Sequence, residues 1–274
     1  MKKYLLLAAL AACPLLATAQ SVFSLSESGG GFYVAPGLYT ANAQDQYAKL
    51  ALATVGGNDA ADNARAAVAY PMPSNSMLGA AIGGFGCRSG ILFGGELNVY
   101  YGAPKSSSLT DQTLATGAAE RNFTLKTSAL AADFQAQVGV VAFRAAGLVV
   151  APMVGIGYGG SGLFLSDSRA NRQYPAYVGT GNQENKFVYN NGLVFDIGLG
   201  ADYYLGGNKE AAKGFRVGLK VGYRMQSAGT WNATGGGIAA RDILNAPIAA
   251  PATQGSQGMY LKLVLGVGRV GKGK

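Results

Sequence analysis

Histidine is absent from this 274-residue chain, and cysteine occurs only twice, at Cys13 and Cys87. Without an imidazole, Ser-His-Asp catalysis and histidine general-base work are excluded. Zinc and copper sites are not supported either, since two thiols fall short of the three or four nitrogen and sulfur ligands such sites need. Charged residues make up only 13% of the chain, too few for a disordered, self-repelling polymer. Beyond the first sixteen residues no apolar run approaches the ~18 that a membrane-spanning helix requires. If this chain enters a bilayer, it does so as strands.

Two glycine patterns fit G-x-G-x-x-G: Gly266-Val267-Gly268-Arg269-Val270-Gly271 and Gly155-Ile156-Gly157-Tyr158-Gly159-Gly160. A dinucleotide site needs that loop to open a helix within a βαβ unit. Neither pattern has that context, so no cofactor is expected. The acids Asp59, Asp62 and Asp167 read as solvated single carboxylates rather than metal ligands. No catalytic, cofactor-binding or metal-ligating residue is assigned, and no enzymatic activity is expected.

The N-terminus has the grammar of a secretory signal. Lys2 and Lys3 are its basic part, Leu5 to Leu16 its apolar part, and Ala17-Thr18-Ala19 supplies small residues before cleavage at Gln20. Leu10-Ala11-Ala12-Cys13 resembles a lipobox, which would make Cys13 a lipidated first residue. Pro14 and the apolar run continuing to Leu16 favour cleavage after Ala19. The expected organisation is a signal peptide over 1–19 and one domain over 20–274. Only Cys87 then remains, so no intramolecular disulfide is possible. It reads as a small residue at a strand end.

Glycine (42 residues) and tyrosine (15) are abundant, and the dominant pattern is alternation. Ile91, Phe93, Gly95, Leu97, Val99 and Tyr101 alternate with Leu92, Gly94, Glu96, Asn98 and Tyr100. Similar period-two runs cover Leu193–Tyr204 and Phe215–Gln226. One face of each is apolar, while the other carries glycine and charge. Phe32–Thr40, Met77–Gly86, Ser128–Ala142, Leu148–Tyr158 and Met259–Val267 follow the rule less cleanly. Eight strands result. Short turns at Cys87–Ser89, Arg144–Ala146 and Gly206–Lys213 alternate with long polar stretches over 41–76, 102–127, 159–188 and 227–258. This predicts an all-β fold: an eight-stranded antiparallel up-and-down transmembrane barrel, with short periplasmic turns and four long external loops.

Eight strands leave room only for side chains inside, which accounts for the glycines. The inward positions carry Glu96, Asp133, Asp196 and Asp202 against Arg216, Lys220, Arg224 and Lys262. Buried charges are tolerable when paired and hydrogen-bonded, so this set is the expected internal charge network. Asp202 is expected to meet Arg216, and Asp196 to meet Lys220 or Arg224. Lys126, at a strand end, is ambiguous. Tyr39, Tyr100, Tyr101, Tyr158 and Tyr189 are expected to form an aromatic girdle at the loop rim, and Phe143, Tyr203 and Phe215 one at the turn rim. Pro36 and Pro152 should each distort the ladder locally, because proline lacks the N–H donor.

The segment Gly31-Phe32-Tyr33-Val34-Ala35-Pro36-Gly37-Leu38-Tyr39 resembles the opening strand of the outer-membrane β-barrel superfamily of the outer-membrane protein A and protein X barrels. The resemblance implies residence in the outer membrane of a Gram-negative cell, contact with its lipid and lipopolysaccharide, and insertion by the outer-membrane assembly machinery. It also implies a monomer, here without a peptidoglycan-binding domain. The chain ends Gly268-Arg269-Val270-Gly271-Lys272-Gly273-Lys274, where the family's last strand usually ends in an aromatic residue.

The net charge of +8 does not point to nucleic acid. Cations and acids roughly balance over the long loops, and the excess lies at the turn rim in Arg88, Arg144, Lys209, Lys213, Arg269, Lys272 and Lys274, beside anionic head groups. A nucleic-acid surface would need a basic patch interleaved with stacking aromatics. The expected role is structural, or surface interaction through loops that carry Tyr70, Tyr174, Tyr177 and Trp231 toward an unknown extracellular partner. A small porin-like channel and a periplasmic or lipid-anchored ligand-binding barrel are the alternatives.

Overall fold

A computed structural model describes residues 27–40, 74–110, 122–145, 147–167, 186–206, 211–227, 231–234 and 254–272. The segment holding Cys13, Ala17, Ala19 and Gln20 lies outside these residues, as do Asp59, Asp62, Tyr70, Tyr174 and Tyr177. Every regular element among the described residues is a strand: β1 (Glu27–Thr40), β2 (Ser76–Arg88), β3 (Ile91–Gly102), β4 (Lys105–Thr110), β5 (Asn122–Val140), β6 (Phe143–Ala145), β7 (Leu148–Asp167), β8 (Lys186–Leu205), β9 (Ala211–Ser227), β10 (Trp231–Thr234) and β11 (Gln254–Lys272).

Eight of them form the wall. Antiparallel pairing runs β1-β2-β3-β5-β7-β8-β9-β11, and β11 pairs back onto β1 from Glu27↔Lys272 to Tyr39↔Tyr260. The sheet therefore closes as an eight-stranded up-and-down barrel. Closure leaves no edge in the wall, so the backbone groups of each strand find partners on both sides. The short strands lengthen this wall at its ends: β4 pairs with β5, β10 with β8, and β6 with β7. Neither G-x-G-x-x-G pattern opens a helix, since one lies within β11 and the other within β7.

The β2–β3 connection is Ser89-Gly90, both with positive φ (54° and 74°). That is the requirement of a two-residue type I′ hairpin, whose twist matches the flanking strands. Arg88 therefore belongs to the strand rather than to the turn.

Several strands run further than their apolar alternation suggested. β7 continues to Asp167, and β8 begins at Lys186. Their pairing persists to Leu165↔Lys186, through residues expected in a long loop. Backbone pairing needs no apolar side chains once a hairpin has begun, so hydrophobicity marks the belt rather than the strand ends.

Both prolines disturb the ladder as expected. Pro36 pairs with Ala80 on the β2 side, but on the β11 side the pairing skips from Val34↔Leu265 to Gly37↔Lys262 without a change of register. Opposite Pro152 the other strand gains a residue. Gly139↔Met153 and Phe143↔Val150 enclose three residues on one side and two on the other. In that bulge Val141 N–H donates to Gly90 O and Ala142 N–H to Val150 O, both at 2.9 Å.

The faces are inverted relative to a soluble barrel. Phe32 (68% exposed), Leu78 (69%), Phe134, Ile156, Ile197, Leu219 and Met259 line the outside. Glycine on the inner face makes room for large groups. A Cβ on Gly222 would sit 2.4 Å from the Tyr260 hydroxyl and 2.5 Å from the Ile197 carbonyl oxygen. Replacing Gly222 by valine should cost about 1–3 kcal/mol through overpacking, read as a lower urea midpoint of the folded barrel. A Cβ on outward-facing Gly84 would come no nearer than 3.5 Å to Gly31 O. Gly84→Ala should therefore shift stability by less than about 0.5 kcal/mol.

Candidate functional site

The strand alternation that turns Phe93, Leu97 and Val99 outward turns Glu96 and Asn98 inward, and the same parity operates around the whole wall. Glu96, Asp133, Asp196, Asp202, Arg216, Lys220, Arg224 and Lys262 are all buried inside the barrel. Lys126 is exposed and takes no part.

The lowest ion pair, toward the turn end, is Arg216 Nη2 to Asp202 Oδ2 at 2.6 Å. The Arg216 guanidinium also lies over two rings, 4.9 Å from the centroid of Tyr33 and 4.8 Å from that of Phe85. This placement offsets part of the cost of burying it. Above it lies Glu96. Its Oε1 accepts from Lys262 Nζ at 2.5 Å, and its Oε2 from Lys220 Nζ at 3.0 Å and the Tyr33 hydroxyl at 2.7 Å. Lys220 also donates to Gln137 Oε1 at 3.1 Å, and Lys262 to Asn98 Oδ1 at 2.6 Å.

The next layer is built around Asp133. Arg224 Nε donates to its Oδ2 at 2.8 Å, while Asn98 and Gln135 donate to Oδ1 at 2.8 and 2.7 Å. Arg224 Nη1 reaches the Tyr39 hydroxyl at 3.2 Å. Nearest the loops, Gln226 Nε2 donates to Asn190 Oδ1 at 3.3 Å.

Two expectations are corrected here. Asp196 meets neither Lys220 nor Arg224, although Arg224 is its Cα partner across β8 and β9. It accepts from the Tyr260 hydroxyl at 2.8 Å. The long cationic side chains instead cross the lumen, from β9 to β3 and β5, because a carboxylate on the far wall lets them extend and fill the interior. Tyr39 and Tyr100 are not girdle residues. They are 0% and 1% exposed, with ring centroids 5.0 Å apart inside the lumen. Their strand parity is that of Ala35 and Glu96, and parity decides the side. Tyr101, Tyr158, Tyr203, Phe143 and Phe215 do face outward, and Tyr189 is half-buried.

Tyr33, Asn98, Gln135, Gln137 and Tyr260 are lumen partners that charge alone did not single out. Their signal was the same one: each occupies an inward register position beside a charge.

Below the ion pairs, Cys87, Val141, Val149, Tyr204, Ala212 and Val270 pack together, with Phe85 and Leu92 against them. This apolar cap crosses the lumen near the turns, and Cys87 is a buried, non-disulfide member of it. Between cap and ion pairs lies a cavity of about 30 Å³ whose lining includes Gln137, Asp202, Arg216 and Lys220. Gln137 Nε2, Asp202 Oδ1 and Arg216 Nε and Nη1 are buried without a hydrogen-bond partner among the described residues. A cavity of this size and polarity is one that water can enter.

No protein-family model matches the chain, and neither does any curated protein. Among solved structures it is similar to the crystal structure of Neisserial surface protein A. That alignment covers 90% of this chain and 97% of that one, at 11% identity and a TM-score of 0.29. The barrel assignment rests on strand pairing, not on this likeness.

Glu96→Gln would leave two buried ammonium groups facing a neutral amide. The expected cost is about 3–5 kcal/mol, measurable as a lower denaturant midpoint. Asp196→Asn keeps an acceptor for the Tyr260 hydroxyl and should cost only about 1 kcal/mol.

Proposed function

We propose that this chain is an integral outer-membrane β-barrel with a structural or surface-interaction role, its lumen filled by an internal charge network rather than kept open for solutes. The observation that carries the reading is the inversion of faces. Large apolar side chains cover the outside from Phe32 to Val267 while the ionised groups with described burial on the inner wall are buried. A soluble barrel exposing that much contiguous apolar surface would aggregate. Hydrocarbon is the solvent that suits such a face, and only closed barrels and helices satisfy their backbone there. The expected signal segment and the resemblance of β1 to the outer-membrane protein A and protein X superfamily support the same location.

Two features favour a closed lumen over a porin-like channel. Lys220, Lys262 and Arg224 span it to carboxylates on other strands, and the apolar cap lies across it below. A ligand-binding periplasmic barrel is disfavoured because the inner face is occupied by charge and the outer face is apolar. The long loops are where an external partner would be met. Their aromatic residues Tyr70, Tyr174 and Tyr177 lie outside the described residues, and for Trp231 only the strand position is described.

Planar-bilayer recording of the purified protein should show no steady conductance. Steady openings that change when Arg224 or Asp196 is neutralised would replace this reading with the channel. Leu199→Arg, at mid-height of the outer belt, should cost about 2–4 kcal/mol in lipid. In a barrel whose outer face met water, the same substitution would be nearly neutral.

A further inference from the structure

At the turn end the outer face is apolar around part of its circumference only. On β3, β5, β6, β7 and β8 the outward positions nearest that rim include Ile91, Val140, Phe143, Leu148 and Leu205. On β9, β11 and β2 they are Lys213, Arg269 and Arg88, all exposed. Register makes these three neighbours. Lys213 is the direct cross-strand partner of Arg269. Arg269 faces Gly30 of β1, Gly30 faces Gly86 of β2, and Arg88 follows two residues along that same face, opposite Ser28.

Like charges placed directly opposite each other destabilise an antiparallel pair, so this sector calls for an anion. Of the described acids, Glu96, Asp133, Asp196 and Asp202 all lie within the lumen, and Glu27 stands at the alternate register position of β1 to Ser28 and Gly30, paired with Lys272. One step up the same strands stand Phe215, Val267 and Phe32, apolar and exposed. Between the cations the outward floor is Ser28, Gly30 and Gly86, with almost no side chain. An apolar wall above a cationic foot with a shallow floor has the amphiphilic profile of a phospholipid.

We infer that Lys213, Arg269 and Arg88 bind the phosphate of an anionic phospholipid in the leaflet at the turn end, with its acyl chains against Phe215, Val267 and Phe32. This rests on the membrane reading above. Strands spaced ~4.8 Å apart hold the cations across a sector about 14 Å wide, room for one head group between them. Each cation near an anionic surface contributes enough to change lipid occupancy roughly fivefold.

The full chain is reconstituted in phosphatidylcholine bilayers containing a minor fraction of phosphatidylglycerol, and lipids retained through purification are quantified by native mass spectrometry. Wild type should retain phosphatidylglycerol well above its bulk fraction. K213Q/R269Q should lose that preference by tenfold or more, while Lys213→Arg keeps it and Lys105→Gln, at the opposite rim, leaves it unchanged. Heat-modifiable gel mobility verifies that each variant is folded. Inserted, folded wild type without a preference, or a double variant that keeps it, overturns the site. Displacement by inorganic phosphate at matched phosphate concentration would also overturn it, by assigning the cations to a free anion. Failure of wild type to insert into this bilayer overturns the membrane reading itself, a result distinct from loss of lipid preference.

Discussion

The carboxylate of Glu96, held between two lysine ammonium groups, is the contact on which the interior depends. A lone carboxylate in a dry lumen would be prohibitively costly, and so would either lysine. Together, with the Tyr33 hydroxyl as a further donor, they satisfy one another. This one group joins β3 to β9, β11 and β1, strands far apart in the chain. Its neighbours are chosen to make room. Gly83 is the cross-strand partner of Glu96, and a Cβ there would come within 2.5 Å of the Tyr33 ring. The glycine content noticed first in the composition thus follows from the charges: each large polar group needs an empty inner position beside it.

The outside follows from the inside. Once parity commits charged and hydroxyl groups to the lumen, the alternate residues of every strand must face outward, and here they are phenylalanine, leucine, isoleucine and valine. The polar core and the apolar belt are one decision repeated eight times around the wall. Interior rigidity has a chemical source different from that of a water-soluble core. Directional hydrogen bonds and ion pairs hold the centre, and close-packed apolar side chains gather in the cap by the turns and in a smaller cluster of Ala35, Ala81 and Val264 beside Tyr33.

Much of this was legible because a strand has the simplest possible period. Alternation located the eight barrel strands and put Glu96, Asp202, Arg216 and the other charges on the inner face. The Asp202–Arg216 pair was legible as well, since both lie near a short turn that fixes their register. Asp196 was not. Neighbouring-strand register names the nearest Cα, but Arg224 is long enough to bypass its neighbour for Asp133 and Tyr39, a choice made across the lumen. Tyr39 and Tyr100 depart from expectation for a related reason. A tyrosine near a strand end suits a membrane interface and a polar interior equally, and only parity separates the two. The upper parts of β7 and β8 carry no such alternation, because paired backbone continues where the apolar signal stops.

The seam between β1 and β11 has a kinetic meaning. It joins the first and last described strands, and the lumen bonds that span it, such as Lys262 to Glu96 and Arg224 to Tyr39, can form only when both ends of the chain have come together. Contacts this distant in sequence are slow to acquire. Once made, they must be given up nearly together, because opening the seam exposes unpaired strand edges and uncompensated charge at the same moment. The assembled barrel therefore has no inexpensive partly open form, and its persistence is governed by the height of that single barrier.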